Sequence, residues 1–235
     1  MFLPIGDDNS RVRTTPVVMF AIVGINCFFW YLQLTLGETF TYGYAATPYE
    51  ITSGEDLVNG SRIVENGRSI AIPHAPGPTP LLLTLLTAMF MHGSWMHIIG
   101  NMVYLVIFGD QIEDLLGHAR FLLFYLACGF AATAAHIIAA PSSTIPSLGA
   151  SGAIAGVLGA YLLRFSGNRV RVLVFRHITY MPAYLVLGGW FLLQLVGQVG
   201  VAAGEATGVA YMAHIGGFIA GLLLVLLFAP RRRYT

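Results

Sequence analysis

Residues 147–165 read SLGASGAIAGVLGAYLLRF and contain one of six apolar segments of the chain. The segment is rich in Ala, Gly and Leu, and no charged residue lies between Ser151 and Arg164. A helix over residues 150–165 would be about 24 Å long, which is less than the roughly 30 Å hydrocarbon thickness of a bilayer. We therefore expect this helix to begin below one membrane surface, with the hydroxyl of Ser151 at membrane depth.

The composition of the whole chain is that of a membrane protein. Of its 235 residues, 56% are hydrophobic and only 10% are charged, and the mean hydropathy is +0.72. Such a composition is too apolar for an ordinary soluble domain. The formal net charge is +1, so no concentrated basic surface suggests nucleic-acid binding. Cys27 and Cys128 lie in different apolar segments, without the spacing of a disulfide framework or a zinc site.

The distribution of apolar residues predicts an all-α membrane helix bundle with six transmembrane helices. A shorter apolar stretch, 81–91, is predicted to be a helix lying in or near the interface, because His92-Gly93-Ser94-Trp95 separates it from the span that follows. The six predicted spans are 17–37, 96–115, 119–140, 150–165, 181–200 and 209–229.

The arginines predict the orientation of the bundle. All twelve basic residues are Arg, and ten of them fall on the cytoplasmic side if both termini are cytoplasmic. The predicted organisation is a cytoplasmic tail over 1–16, a membrane domain over 17–229 and a basic cytoplasmic tail over 230–235. A polar loop, 38–80, is inserted on the outer side, and its sequence does not decide between an ordered and a flexible structure.

Two polar side chains in these helices are candidates for a catalytic site. Ser151 opens the fourth span, where backbone N–H groups without helical partners could stabilise an oxyanion. His214 lies some five residues into the apolar sixth span, where an imidazole needs a hydrogen-bond partner. Each has a plainer interpretation: Ser151 as a helix N-cap, and His214 as a packed, satisfied histidine.

Small residues in the fourth and sixth spans predict that these two helices pack closely. Gly152 and Gly156 form one Gly-xxx-Gly face, and Gly217 and Gly221 form a second. A close crossing at these faces would bring Ser151 and His214 together. No acidic residue is placed to complete a triad, so we expect a Ser-His dyad whose imidazole is oriented by packing.

The second span contributes His97 and Asn101, which are four residues apart and share one helix face. Their N–H groups could donate to an oxyanion, or they could form interhelical hydrogen bonds that only hold the span in place. His92 is expected to support them. A zinc site made of histidines is a weaker alternative, because the sequence has no His-Glu-x-x-His helix, and we expect no metal or other cofactor.

These motifs together resemble those of the rhomboid intramembrane serine proteases. The resemblance rests on His92-x4-His97-x3-Asn101, Gly149-x-Ser151-Gly152 and Ala213-His214-x-Gly216-Gly217, with Glu113-x3-Gly117 as a further shared feature, and covers residues 15–229. It implies a Ser151 nucleophile and a His214 general base. His97, Asn101 and the Ser151 backbone N–H would form the oxyanion hole, supported by His92, Gly149, Gly152, Gly217 and Gly221.

The resemblance also implies a function. Rhomboids hydrolyse peptide bonds in or beside transmembrane segments, so the expected partners are transmembrane protein substrates and membrane lipid. The expected location is a bacterial inner membrane, and the oligomeric state is not predicted. Two alternatives remain open: a proteolytically inactive relative that binds membrane clients, and a small transporter.

Overall fold

A computed structural model describes residues 2–10, 12–65, 68–203 and 208–229, and it is dominated by helices. Each of the six predicted spans coincides with a helix, although the boundaries differ by several residues at some ends. The helices are α1 Val17–Gly43, α2 Pro48–Ser53, α3 Thr84–Thr87, α4 Trp95–Leu116, α5 His118–Ala139, α6 Ser151–Phe165, α7 Ala183–Ala202 and α8 Tyr211–Phe228.

The long apolar helices are those of a multi-pass integral membrane protein. Helices α1, α5, α7 and α8 are each long and apolar enough to cross a bilayer. The helical stretch Leu81–Phe90, which includes α3, passes the same test together with α4, but the two are bent by 77° relative to each other. This break confirms that the stretch before His92 is separate from the helix that follows.

Helix α6 is shorter than the spans and occupies the centre of the bundle. Ten consecutive residues, 152–161, are buried, so the helix is covered on every side by protein. A helix that is apolar all round belongs in such an interior position. Helices α4, α5 and α8 pack around it.

The prediction of an all-α chain was wrong in one respect, since the described residues also form two small antiparallel sheets. Strands β2 Ser61–Glu65 and β3 Arg68–Ile72 form a hairpin. Strands β1 Phe2–Asp7, β4 Arg169–Val174 and β5 His177–Pro182 form a sheet in the order β1-β4-β5. The sequence Arg-Val-Arg-Val of β4 has the alternation of a half-buried strand, and Val170 and Val172 are both buried.

The insertion between residues 38 and 80 is largely ordered. Helix α1 continues to Gly43 past a break at Gly37, whose φ of 79° favours glycine. Helix α2 and the β2–β3 hairpin follow, and Ala46 forms a β-bridge with Ser147. This bridge ties the insertion to the loop that precedes α6.

Two acidic residues of α4 hold the beginning of α1. The carboxylate of Glu113 accepts hydrogen bonds from the N–H groups of Val18 at 2.8 Å and Met19 at 2.6 Å. Asp114 accepts from the Thr14 N–H at 2.8 Å. The first N–H groups of a helix lack internal partners, so a carboxylate supplied by another helix stabilises this end.

Candidate active site

The turn into α6 depends on Gly149. Its φ of +133° is a conformation that residues with a side chain rarely adopt, and its N–H donates to the carbonyl of Ala88 at 2.8 Å. Ala150 is the N-cap residue and Ser151 is the first residue of the helix. The turn thereby connects the start of α6 to the helical segment Leu81–Phe90.

The side chain of Ser151 contacts α8 instead of capping its own helix. No side-chain hydrogen bond caps α6, whereas Ser151 Oγ lies 2.8 Å from His214 Nε2. This distance is typical of a hydrogen bond between a hydroxyl and an imidazole nitrogen. The plainer interpretation of Ser151 as an N-cap therefore does not hold, and the two residues singled out in the sequence are neighbours.

Glycines set the distance between α6 and α8. A Cβ atom at Gly217 would lie 2.0 Å from the carbonyl oxygen of Gly152, and one at Gly221 would lie 1.9 Å from the carbonyl oxygen of Gly156. Both distances are far inside van der Waals contact. The helices thus touch through their backbones, as the two Gly-xxx-Gly faces predict.

His214 has a second partner that the sequence analysis did not assign. Its Nδ1 lies 2.8 Å from the side-chain oxygen of Gln194, which belongs to α7. Trp190, one turn earlier on α7, places its ring centroid 5.7 Å from that of His214. The sequence predicted that packing, instead of an Asp, orients the imidazole, and the structure adds an amide hydrogen bond to the ring contact. The signal in the sequence was a glutamine inside an apolar span.

His97 approaches the turn at Gly149 from α4. A Cβ atom at Gly149 would lie 2.8 Å from His97 Cε1 and Nε2, so the ring lies directly against this backbone. The N–H of Gly93 points to His97 Nδ1 at 3.4 Å, a long hydrogen bond that favours the tautomer with hydrogen on Nε2. Ser94 caps α4 by accepting from the His97 N–H at 3.1 Å. The Nε2–H group of His97 is thereby directed towards the region beside Ser151.

Asn101 and His92 form a pair behind this ring. Asn101 Nδ2 lies 3.0 Å from His92 Nε2, and the His92 and His97 rings meet edge to face with centroids 5.1 Å apart. Gln33 of α1 holds the backbone of His92 by two hydrogen bonds of 2.9 Å, one to its N–H and one to its carbonyl. Gln33 was not predicted to have this role, although it is a polar residue in an apolar span like Gln194.

The acidic residues of α4 lie away from this site. Asp110, Glu113 and Asp114 occupy the last two turns of the helix, whereas His97 and Asn101 occupy the first two. Within the described residues, no group of three or more His, Cys, Asp or Glu side chains could hold a metal ion.

Comparisons with known proteins agree with the motifs. The Rhomboid domain family matches residues 80–231. RHOMBOID-like protein 6, mitochondrial, of Arabidopsis thaliana is 32% identical over 149 residues, which are 63% of this chain and 44% of that protein. Rhomboid-like protein 11, chloroplastic, of the same plant is 28% identical over 161 residues, 64% of this chain and 54% of that protein.

A bacterial relative matches a shorter segment at higher identity. Rhomboid protease GluP of Bacillus subtilis (strain 168) is 41% identical over 85 residues, which are 36% of this chain and 16% of that protein. The chain thus spans only part of the length of these relatives. The family match nevertheless covers well over half of the chain and includes His92, His97, Asn101, Ser151 and His214. The chain belongs to the rhomboid family.

Proposed function

We propose that this protein is an intramembrane serine endopeptidase that cleaves peptide bonds in or next to transmembrane segments of other membrane proteins. The observation that carries the proposal is the 2.8 Å contact between Ser151 Oγ and His214 Nε2. A serine becomes a useful nucleophile when an adjacent imidazole can take its proton. Membership in the rhomboid family supports this chemistry, and the location of the site among apolar helices supports membrane-spanning substrates.

In the first step, Ser151 Oγ attacks the carbonyl carbon of the substrate while His214 Nε2 takes the hydroxyl proton. The resulting imidazolium then gives that proton to the leaving amine, and the C–N bond breaks to leave an acyl-enzyme. Water repeats the sequence: His214 takes a proton from it, the oxygen attacks the ester, and Ser151 Oγ recovers the proton. The net reaction is hydrolysis of one peptide bond.

The oxyanion of each tetrahedral intermediate needs donors beside Ser151. We assign this role to His97 Nε2–H, because the ring lies against Gly149, and to the backbone N–H of Ser151, because Ser151 is the first residue of α6. An amide nitrogen has two N–H groups, so Asn101 is able to bond His92 and the oxyanion at the same time. Donors that are already in position stabilise the developing charge without reorganisation during the reaction.

We further propose that all six long helices cross the membrane and that both termini are cytoplasmic. The arginine distribution supports this orientation, with ten of twelve arginines on the side of the termini. The tail 1–16, which contains β1, and the tail 230–235, which lies outside the described residues, would then face the cytoplasm. The inserted loop 38–80 and Ser151 would lie towards the outer face of a bacterial inner membrane.

The decisive experiment compares purified wild-type protein with Ser151→Ala and His214→Ala in liposomes that contain a single-span reporter. We expect both substitutions to reduce cleavage by about 10⁴-fold or more, because each removes a group that acts in the chemical step. Matched controls are Ser142→Ala in the loop before α6 and His177→Ala on β5, both at exposed positions. These controls should cleave like the wild type.

A fluorophosphonate probe supplies an independent measurement, since it reacts with an activated serine without any transmembrane substrate. Wild-type protein should be labelled and Ser151→Ala should not. Equal cleavage by wild type and both variants would refute the dyad. Binding of the reporter without cleavage or labelling would instead identify a proteolytically inactive relative.

A further inference from the structure

Gln194 joins α7 to the imidazole of His214 by a defined pair of hydrogen bonds. Its Nε2 donates to the carbonyl of Trp190 at 3.1 Å, and its Oε1 lies 2.8 Å from His214 Nδ1. A carbonyl oxygen only accepts hydrogen bonds, so the contact with Trp190 requires nitrogen on that side of the amide. The side-chain oxygen of Gln194 must therefore face His214.

This orientation selects one tautomer of the histidine. Because Gln194 Oε1 only accepts, the hydrogen of the neutral imidazole must reside on Nδ1, which leaves Nε2 with a lone pair. Nε2 is the atom that faces Ser151 Oγ. The opposite tautomer would place an N–H group against the serine hydroxyl and could not accept its proton.

We propose that Gln194 is a positioning residue for His214, which it holds in the orientation and tautomer that a general base requires. The inference rests on the proposed endopeptidase function and adds to it a third residue that acts through the histidine. In serine proteases with a triad, a buried carboxylate has this task. Here a neutral amide performs it, so no buried negative charge has to be stabilised within the bundle.

The surroundings of Gln194 make the hydrogen bond difficult to replace. The residue is only 8% exposed, so water has little access to substitute for the amide. Trp190 contributes its ring to His214 and its carbonyl to Gln194, so one turn of α7 provides both contacts. A variant that lacks the amide would keep the ring contact with Trp190 but lose the selection of the tautomer.

The test replaces the amide and measures catalysis in detail. We expect Gln194→Leu to lower kcat by roughly tenfold, the equivalent of one buried hydrogen bond, with little change in KM. The rate of labelling by a fluorophosphonate should fall by a similar factor, because that reaction needs the same activated serine. Gln198→Leu, one turn further along α7, is the matched control and should behave as the wild type.

A conservative variant separates positioning from a merely structural role. Gln194→Glu retains an acceptor for the Nδ1 hydrogen, so it should recover most of the kcat that Gln194→Leu loses. Its negative charge would also stabilise the imidazolium, which should move the acidic limb of the kcat/KM profile to higher pH. The other titratable groups that act on His214 are His97 of α4 and His136 of α5, and both are unchanged between the variants.

The outcomes distinguish this inference from the function on which it rests. Wild-type kcat in Gln194→Leu, with Ser151→Ala and His214→Ala inactive, would overturn the positioning role and leave the dyad intact. A fall in kcat that Gln194→Glu neither restores nor shifts in pH would assign a packing role and also overturn it. Activity in Ser151→Ala would instead refute the endopeptidase function itself.

Discussion

The two ends of α6 are held in different ways. At its start, Ser151 has one side-chain partner, His214, and the spacing of the helices there is set by backbone contact between Gly152 and Gly217. Near its other end, Tyr161 belongs to a network of side chains. Its hydroxyl donates to Asp7 Oδ2 at 2.5 Å, and Gln111 Nε2 donates to the same oxygen at 2.7 Å.

The start of α6 fixes a catalytic distance, whereas its other end anchors the helix to its neighbours. Backbone contacts leave no rotamers to adjust, so they fix the distance on which proton transfer between Ser151 and His214 depends. The network at Tyr161 joins β1, α4 and α6 through several hydrogen bonds, each of which contributes modestly to stability. Ten residues of helix, about 15 Å, separate the two regions. Changes at one end should therefore affect catalysis and changes at the other should affect stability alone.

The largest effect should come from Gly217→Ala, which tests the start of α6. The new Cβ would lie 2.0 Å from the carbonyl of Gly152, so the helices must separate. We expect a loss of about 3 kcal/mol or more in the free energy of unfolding, together with nearly complete loss of cleavage. Thermal unfolding in detergent and the liposome assay measure the two effects. Gly188→Ala in α7, where a Cβ meets nothing within 4 Å, is the control.

An intermediate effect is expected from Tyr161→Phe, which tests the far end. The substitution removes a donor to Asp7 from a fully buried side chain and should destabilise the protein by about 1–3 kcal/mol. Cleavage per folded molecule should stay at the wild-type level, because the dyad is not touched. The control is Tyr180→Phe on the exposed face of β5, which should change neither quantity. Lost activity in folded Tyr161→Phe would contradict the separation of the two ends.

The smallest effect should be a pH dependence of the free energy of unfolding that is due to Asp7. Burial raises the pKa of its carboxyl from 3.8 to about 6. The folded protein thus holds this proton more tightly than the unfolded chain. The resulting stability is fully present below about pH 4 and is lost as the pH rises through about 6.

Asp7→Asn should remove this contribution. We expect the wild type to lose about 1 kcal/mol more than the variant between pH 4 and 7, once the remaining water contact of Asp7 is allowed for. Melting temperatures measured in parallel across this range provide the test, with Glu38→Gln at an exposed position of α1 as control. Parallel pH profiles for wild type and Asp7→Asn would assign the dependence to other groups.

The sequence was sufficient to locate the six long helices and to suggest that Ser151 and His214 meet. Apolar segments of about 20 residues leave few alternatives to a membrane helix, and two Gly-xxx-Gly faces indicate where backbones are able to touch. The partners of these residues were harder to foresee. Gln33 and Gln194 reach His92 and His214 across helices, and such contacts depend on helix rotation, which hydropathy does not report.

The sheet at the other end was missed for a different reason. Strand β1 lies more than 160 residues before its partner β4, so local periodicity gives no indication that they pair. Arg169 and Arg171 indicate only the orientation of the bundle when they are taken from the sequence alone. Pairing with β1 is what brings Asp7 to Tyr161, and the polar network therefore follows from a contact that no local pattern encodes.

The imidazole of His214 is bonded at both nitrogens and so connects two helices that pack differently against α8. On one side it meets α6, whose distance from α8 is limited by main-chain atoms that cannot give way. On the other it meets α7, which packs on α8 through the rings of Trp190 and Phe191 and leaves large side chains such as Leu193 and Val196 exposed. Because side chains change rotamer and main-chain atoms do not, a change in helix spacing should alter the contact at Nδ1 of His214 before the contact at Nε2.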